Sequence, residues 1–157
     1  MISISPSSRG VAYLRFLEEK LSKDTLAKYF FGEQGREVAE EWIRDYPQVA
    51  RQVAVRGRYI EDTATKYIVG GVTQLVNIAA GFNSFPYRCG KVSKLRRYAE
   101  LDLPSMSHYK KTVVSDLKSK HVIKNMQLEV DYVPVDLAKN DLSSVFAKMS
   151  WNWELPT

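Results

Sequence analysis

Apolar residues near the N-terminus recur at helical spacing. In residues 7–21, steps of three or four residues predict a helix, with apolar side chains at Val11, Leu14, Leu17 and Leu21. Ser7 or Ser8 is the predicted cap of this helix, because a serine hydroxyl can accept from the free backbone N–H groups of a first turn. Asp24 is predicted to cap a second short helix that ends near Phe31.

Two further helices are predicted before the pattern changes. Gly32 and Gly35 interrupt the chain, and a polar helix is predicted over residues 36–45. The following Pro47 ends that helix, since the residue before a proline disfavours the helical conformation. Pro47 near a first turn and Gly70 beyond a last turn predict another helix between them.

Beyond residue 70, short apolar runs alternate with helical segments. Strands are predicted over three segments, which are residues 72–79, 96–101 and 128–135. Pro104 opens a helix between the second and third strands, and Asp141 caps a last helix over residues 142–149. This alternation predicts an α/β fold with a parallel sheet. We therefore divide the chain into a helical region, 1–70, and a sheet region, 71–157.

The composition is that of a soluble globular protein. Of 157 residues, 45% are apolar and 26% are charged, which excludes an intrinsically disordered chain. The apolar runs are too short to cross a bilayer, and the N-terminus lacks the apolar core of a secretory signal. The single cysteine, Cys89, cannot form an intrachain disulfide, so we expect a cytoplasmic protein with no membrane partner. Cys89 and two scattered histidines also argue against a bound metal.

The net charge of +5 is concentrated in one segment. Residues 88–124 contain ten lysines and arginines against three acids. Such a segment is compatible with an RNA or acidic protein partner. A solvated surface explains the charge better, since few aromatic residues lie between the cations and no RNA-binding signature is present.

Candidate ligand contacts follow the first two predicted strands. Ligands of parallel α/β sheets bind beyond the carboxyl ends of the strands. After the first strand, Ala79 and Gly81 are small enough to let the backbone approach a ligand, and Gly81 tolerates a positive φ. Glu100 and Asp102 follow at the spacing at which nucleotide-binding sheets place an acid for ribose hydroxyls. Two solvent-facing acids are the alternative interpretation.

A third candidate pair, Asp136 and Leu137, follows the third strand. Asp136 could accept from an adenine amino group while Leu137 packs on the ring, although spacing alone favours a turn acid before Leu142. The sequence lacks a P-loop, a nucleophile elbow and a complete G-x-G-x-x-G. These absences favour a ligand with ribose and adenine but little phosphate.

Four blocks of the sequence carry a family resemblance. They are residues 56–62 (R-G-R-Y-I-E-D), 76–88 (V-N-I-A-A-G-F-N-S-F-P-Y-R), 98–104 (Y-A-E-L-D-L-P) and 132–137 (Y-V-P-V-D-L). In order and approximate spacing they resemble the leucine carboxyl methyltransferase family, which includes tetracenomycin-type polyketide O-methyltransferases. The closing residues 155–157 (L-P-T) resemble the same family.

The resemblance implies a methyltransferase that uses S-adenosyl-L-methionine and has a Rossmann-like sheet. It implies that Arg58 pairs with the methionine carboxylate of the cofactor, for which a guanidinium is a bidentate and permanently charged partner. The turn of residues 79–81 would run beside the methionine portion. Asp102 would bind the ribose, and Asp136 with Leu137 would bind the adenine. No catalytic residue is assigned.

Two positions depart from the family motif. Ala79 replaces its first glycine and Asn83 replaces its aspartate. We expect the extra methyl group of Ala79 to crowd the cofactor, at a cost of roughly 1–3 kcal/mol. Asn83 keeps a hydrogen-bonding shape without the charge. Arg9 is an additional candidate for a basic contact from the N-terminal helices.

In the family, the segment that resembles residues 155–157 continues into a fourth strand, within a sheet ordered 3-2-1-4-5-7-6. The resemblance therefore predicts that this chain supplies strands 3-2-1 and that the C-terminal half is missing. The strand at residues 72–79 would then be an apolar sheet edge. Because exposed edges recruit other strands, we expect self-association or a second chain that covers this edge.

The functions that remain differ in class. One is an O-methyltransferase acting on a carboxyl or hydroxyl group of a small molecule or a protein C-terminus. A carboxylate acceptor needs no general base, so positioning and water exclusion would suffice. The alternative is a non-catalytic, degenerate relative that binds an acidic protein or RNA through residues 88–124. A different nucleotide-binding protein, such as a small reductase, is disfavoured by the missing glycine fingerprint.

Overall fold

A computed structural model describes residues 4–124, 128–149, 151–152 and 154 of the chain. The α-helices are α1 (Pro6–Leu17), α2 (Glu19–Ser22), α3 (Gly32–Asp45), α4 (Val49–Val69), α5 (Phe85–Arg88), α6 (Pro104–Ser119) and α7 (Leu142–Lys148). The strands are β1 (Gln74–Ile78), β2 (Arg97–Asp102) and β3 (Val130–Pro134). Two short 3₁₀ segments cover Ala27–Tyr29 and Gly90–Lys94.

The strands form one parallel sheet in the order β1-β2-β3. The predicted strands, their parallel pairing and their 3-2-1 order are therefore confirmed for the described residues. Ile78 of β1 pairs with Leu101 of β2, and Asp102 pairs with Pro134 of β3. This register brings the carboxyl ends of all three strands to one edge of the sheet.

Strand β2 is central, and its alternate side chains divide between the two faces. Ala99 and Leu101 pack with Val135 and Trp151 in one apolar cluster, to which α7 contributes. Glu100 lies on the opposite face, where Lys110 of α6 meets it. Helices thus cover both faces of the sheet, as expected for parallel strands. The protein has a mixed α/β architecture.

The helices of the first part differ from the prediction in their bounds, and the single helix predicted over residues 7–21 is divided at Glu18 into α1 and α2. Helix α1 begins at Pro6 and is capped by Ser5, whose hydroxyl accepts from the N–H of Ser8 at 3.4 Å. The predicted cap at Ser7 or Ser8 is wrong because proline fits the first helical position, where no N–H is needed. The predicted helix after Asp24 is reduced to the 3₁₀ segment Ala27–Tyr29.

Gly35 lies inside α3 rather than before it, so its interpretation as a break is wrong, whereas Gly32 has a positive φ of 59° and begins α3. A β-carbon at Gly35 would lie 2.8 Å from the backbone of Arg9, and one at Gly10 would lie 2.9 Å from Trp42. The two glycines therefore let α1 and α3 approach closely. At Gly10 and Gly35, close helix packing explains the need for glycine better than turn formation does.

The outer edge of β1 has no strand partner among the described residues, and Ile78 at its end is 45% exposed. At the other end of β1, the Gln74 side chain exchanges hydrogen bonds with the backbone of Asn152, with Gln74 Nε2 2.5 Å from the Asn152 oxygen. The motif at residues 155–157 lies outside the described residues. The expectation that this edge recruits another chain stays a prediction.

Helix α4 ends at Val69 and β1 begins at Gln74, so the proposed division after residue 70 falls between elements, and it stays a prediction. Among the residues that the structure describes, no helix is long and apolar enough to cross a membrane.

Candidate cofactor-binding site

The turn that follows β1 has an unusual backbone. Both Ala79 and Gly81 have positive φ angles, 52° and 50°. A β-carbon at Gly81 would have its nearest neighbour at 3.9 Å, the Ser8 hydroxyl, so Gly81 is favoured here by backbone conformation rather than by lack of space. For Ala79 the left-handed conformation costs roughly 1–2 kcal/mol. The motif glycine that Ala79 replaces would avoid this cost.

Asp102, at the end of β2, fastens this turn to the sheet. One carboxylate oxygen accepts from the Gly81 N–H at 2.5 Å, and the other accepts from the Leu103 N–H at 2.7 Å. The carboxylate is only partly buried, and each oxygen retains a further lone pair. Asp102 can therefore hold the turn and still accept hydrogen bonds from a ligand.

Glu100, the other acid of this strand, has a different environment. It is 2% exposed and its carboxylate lies 2.6 Å from the Lys110 ammonium, which is equally buried. Burial raises the pKa of Glu100 and lowers the pKa of Lys110, and in each case the partner's charge opposes the shift. Both interpretations made from the sequence are corrected here: Glu100 is no solvent-facing acid, and Lys110 is no part of a basic surface.

Asn83 is used within the turn. Its side-chain oxygen accepts from the Phe85 N–H at 2.9 Å and so starts the short helix α5. Asn83 also contributes to the walls of the cavities on either side of the turn. Its role as a cofactor contact stays a prediction.

Asp136 and Leu137 follow β3 at the same edge of the sheet. The Asp136 carboxylate accepts from the Ala138 N–H at 3.0 Å and pairs with Lys139 at 3.2 Å. Leu137 packs against the apolar cluster that contains Trp151. The structure thus brings this pair to the predicted edge, while the Asp136 side chain serves the local turn.

The two predicted basic contacts lie elsewhere. Arg58, on α4, pairs with Asp62 one turn further along the helix. Arg9 donates to the Phe31 carbonyl at 3.3 Å and stacks over the Tyr109 ring at 4.8 Å. Neither arginine lines the cavity beside the turn. The arginine of α4 that lines it is Arg56.

This cavity has a volume of about 390 Å³ and lies between the turn, α1 and α4. Its polar side chains are the hydroxyls of Ser7 and Ser8 and the guanidinium groups of Arg15 and Arg56, together with the amides of Asn77 and Asn83. No acid or histidine is among its described lining residues. Arg15 is already paired with Asp24, so Arg56 is the lining cation through which the cavity favours an anionic group.

A larger cavity, of about 550 Å³, follows the outer edge of β1 on the other side of the turn. It is lined mainly by apolar and aromatic groups, among them Tyr67, Phe85, Tyr98, Phe146 and Trp151. Tyr98 receives a hydrogen bond from the Asn77 amide at 3.4 Å, and burial raises the pKa of its phenol. Such a surface can bury an apolar chain or ligand, and its charged lining residue is the acid Glu61, which would repel a cofactor carboxylate.

Sequence reasoning missed a buried charge network beneath the turn. Arg15 is 9% exposed, donates to the Phe82 carbonyl at 2.7 Å and forms an ion pair with Asp24 at 3.0 Å. Burial lowers the pKa of the Arg15 guanidinium, an effect that the Asp24 charge opposes. Asp24, predicted to cap a helix, does accept from the Leu26 N–H at 3.3 Å, but its main partners are charged.

Arg88 completes this network. It pairs with Asp24 at 3.2 Å and with Glu61 of α4, and it donates to the Ser84 hydroxyl at 2.6 Å and the Lys23 carbonyl at 2.8 Å. Two arginines and two acids balance in charge. Arg88 is the last residue of the motif at residues 76–88. Its place in that motif was the sequence feature that could have indicated a role for it.

Comparison with known proteins decides the family. The chain matches the leucine carboxyl methyltransferase family over residues 8–157. The chain belongs to this family. The resemblance inferred from four blocks is thereby confirmed and extends through the N-terminal helices. No curated protein sequence matches the chain.

Members of this family are methyltransferases that generally use S-adenosylmethionine, so this general activity is what membership implies for the chain. The residues present fit such a cofactor. The positive-φ turn exposes backbone beside a cavity with two guanidinium groups, and Asp102 keeps lone pairs free at the neighbouring strand end. Among the residues that the structure describes, no cluster could hold a metal ion.

Proposed function

We propose that the chain is an S-adenosylmethionine-dependent O-methyltransferase with a Rossmann-like cofactor site, and that its acceptor is a carboxylate. One observation carries the choice of acceptor: among the described residues that line the cavity beside the turn, there is no acid or histidine that could act as a base. A hydroxyl acceptor would need a base to take its proton, whereas a carboxylate is already ionised at neutral pH.

In this proposal the cofactor is held at the carboxyl edge of the sheet. The turn of residues 79–81 binds the methionine portion, and Asp102 accepts from the ribose hydroxyls. Asp136 and Leu137 bind the adenine. Arg58 or Arg56 pairs with the methionine carboxylate, and the cavity geometry favours Arg56. When bound, the cofactor supplies an electrophilic methyl group.

The protein's own contribution is positioning. The hydroxyls of Ser7 and Ser8 and the amide of Asn77 would donate to an acceptor carboxylate and orient it beside the cofactor. The helices that wall the cavity would exclude water from the reacting groups. A small organic acid and a protein C-terminus both satisfy this chemistry.

The cofactor site is tested by calorimetric titration of S-adenosylhomocysteine into the 157-residue chain. We expect binding in the micromolar range, and a loss of about 10- to 100-fold in Asp102→Ala, as for removal of a hydrogen bond to a charged group. Asp116→Ala is the matched control, because Asp116 is an exposed acid that pairs with Lys120 on α6. Circular dichroism verifies that each variant is folded.

Either of two results would count against the proposal. Absence of binding by the folded wild-type chain would favour a degenerate relative that binds an acidic protein or RNA. Equal binding by the wild type and Asp102→Ala would place the ligand elsewhere. If the ligand binds as expected, methyl transfer to carboxylic and hydroxyl acceptors, measured with a labelled cofactor, separates the two acceptor classes.

A further inference from the structure

The turn after β1 is fastened from two opposite sides. From the sheet, the Asp102 carboxylate accepts from the Gly81 N–H. From the N-terminal helices, Arg15 of α1 donates to the Phe82 carbonyl at 2.7 Å. The sequence separation between Arg15 and Phe82 is 67 residues, so this hydrogen bond joins parts of the chain that are far apart in sequence.

Arg15 is itself held by partners that leave it little freedom. Asp24 pairs with it at 3.0 Å and is only 1% exposed. The Asp24 carboxylate also receives hydrogen bonds from the Leu26 N–H and from the Ser84 hydroxyl. Ser84 lies two residues beyond Phe82, so Asp24 and Arg15 contact the same short segment after the turn.

Arg88 carries the connection on to α4. It contacts Asp24, Ser84 and Glu61, and the Glu61 side chain is 8% exposed. A charge buried this deeply is costly once its partner is removed. Helix α1, the segment 82–88 and helix α4 are therefore constrained to move together.

The same elements form the cavity beside the turn. Ser8 comes from α1, Arg56 from α4 and Gly81 from the turn, and Arg15 contributes to the wall between them. A shift of the N-terminal helices would change the shape of the cavity and the position of the turn at once.

We propose that Arg15 is a positioning residue that holds the turn in register with the N-terminal helices, so that ligand binding at the turn and the order of these helices are coupled. The identity of the ligand rests on the proposed function, but the coupling does not. By linkage, a ligand at the turn stabilises α1 and α4, and their order raises the affinity of the turn.

The variant for the test is the charge-balanced double substitution Arg15→Met with Asp24→Asn. It removes one charge of each sign, leaves the Arg88–Glu61 pair intact, and keeps an amide oxygen that can accept from Leu26. The single substitution Arg15→Lys serves as a second variant, because it keeps the charge but shortens the reach toward Phe82. Ile43→Ala is the matched control, since it lowers stability by removing packing from the apolar cluster around Leu14, Ala39 and Ala50, which contains no residue of the turn.

The first readout needs no ligand. Hydrogen exchange of the Asn83 and Phe85 amides reports on the turn, because they bond to Ala80 and Asn83 respectively. We expect these amides to exchange about tenfold faster in the double variant than in Ile43→Ala when the two are compared at equal global stability. Unchanged exchange at the turn, with only global stability reduced, would show a purely structural role and overturn the inference.

The second readout is the affinity for S-adenosylhomocysteine. The double variant should bind about tenfold more weakly than the wild type, with Arg15→Lys in between and Ile43→Ala within about twofold. Equal affinity in all four proteins would also overturn the inference. If the folded wild type binds nothing while the turn amides still exchange faster in the double variant, the positioning role of Arg15 stands and the proposed function fails.

Discussion

Two groups of buried charges lie close to the turn after β1, and they are built differently. The network of Arg15, Asp24, Glu61 and Arg88 joins α1, α4 and α5, and Asp24 and Arg88 each have several polar partners. The pair of Glu100 and Lys110 joins only β2 and α6, and one Glu100 oxygen has no hydrogen-bond partner among the described residues.

This difference indicates which of the two groups fixes the relative positions of chain segments in a way that apolar packing could not. Desolvation makes an isolated buried pair a poor source of stability, and apolar residues of similar size often replace one without loss. A network that also forms hydrogen bonds with backbone carbonyls and a hydroxyl fixes the positions of the chain segments that carry these groups.

The largest effect is expected from Asp24→Ala. The change leaves Arg15 and Arg88 without their shared anion, so we expect a loss of about 3–5 kcal/mol in the free energy of unfolding. Urea denaturation followed by circular dichroism measures it. The double variant Arg15→Met with Asp24→Asn should regain a large part of this loss. A cost under about 1 kcal/mol would mean that the network is no more important than a surface pair.

Removal of one member of the Glu100–Lys110 pair should destabilise the folded protein to an extent that depends on pH. Lys110→Met leaves Glu100 buried without a cation, at a cost of about 3 kcal/mol at neutral pH. Burial already raises the folded-state pKa of Glu100, and loss of Lys110 raises it further. The folded state then binds the proton more tightly than the unfolded state, so stability is highest below the unfolded pKa of about 4 and is lost as pH rises.

Urea unfolding of Lys110→Met between pH 4 and pH 8, roughly the range in which carboxylate and histidine groups titrate, measures this slope. The wild type should show the same sign with a smaller amplitude, because Lys110 opposes the shift. If the free energy of unfolding of Lys110→Met stays constant or rises with pH, Glu100 is not a buried acid that has lost its cation in this variant.

Removal of both members of the pair should have a small effect. Glu100→Leu with Lys110→Met replaces the pair by apolar side chains, and we expect a change within about 1 kcal/mol of the wild type, or a gain in stability. The pH slope of the single variant should disappear. If the double variant is as unstable as Lys110→Met alone, the pair does contribute structure that packing cannot replace.

The smallest effect concerns the turn that both groups adjoin. Ala79→Gly removes the cost of a left-handed alanine but adds chain entropy to the unfolded state, so we expect a net gain of about 0.5–1 kcal/mol. Ala80→Gly is the matched control, since Ala80 is buried and has no positive φ, and it should lose stability. Thermal unfolding of both variants checks the opposite signs.

Much of the architecture could be predicted because it depends on local patterns. The three strands were visible as short apolar runs bounded by turn residues, and Asp141 caps α7 as expected, since its carboxylate accepts from the Ser144 N–H at 3.0 Å. The position of Asp102 at the carboxyl end of β2 could be predicted from its spacing after the glycine turn. The helix bounds near Gly35 could not be predicted, because what decides them is the contact of α1 with α3.

The buried charges could not be predicted for the same reason. Asp24 has the local sequence of a helix cap, and nothing nearby in sequence indicates that Arg88 reaches it. Lys110 stands beside Lys111 in a basic segment, yet only Lys111 faces solvent. Partners far apart along the chain give a sequence no periodic signal, so such networks become visible only in the folded structure.

We propose that the turn after β1, held between Asp102 and Arg15, is the cofactor site. The most direct test is titration of the isotopically labelled chain with S-adenosylhomocysteine, followed by amide chemical shifts. We expect saturable shifts at Gly81, Phe82 and Leu103, with the amide of Glu40 on α3 unaffected. Shifts confined to the apolar cavity along the β1 edge, or none at any concentration, would contradict it.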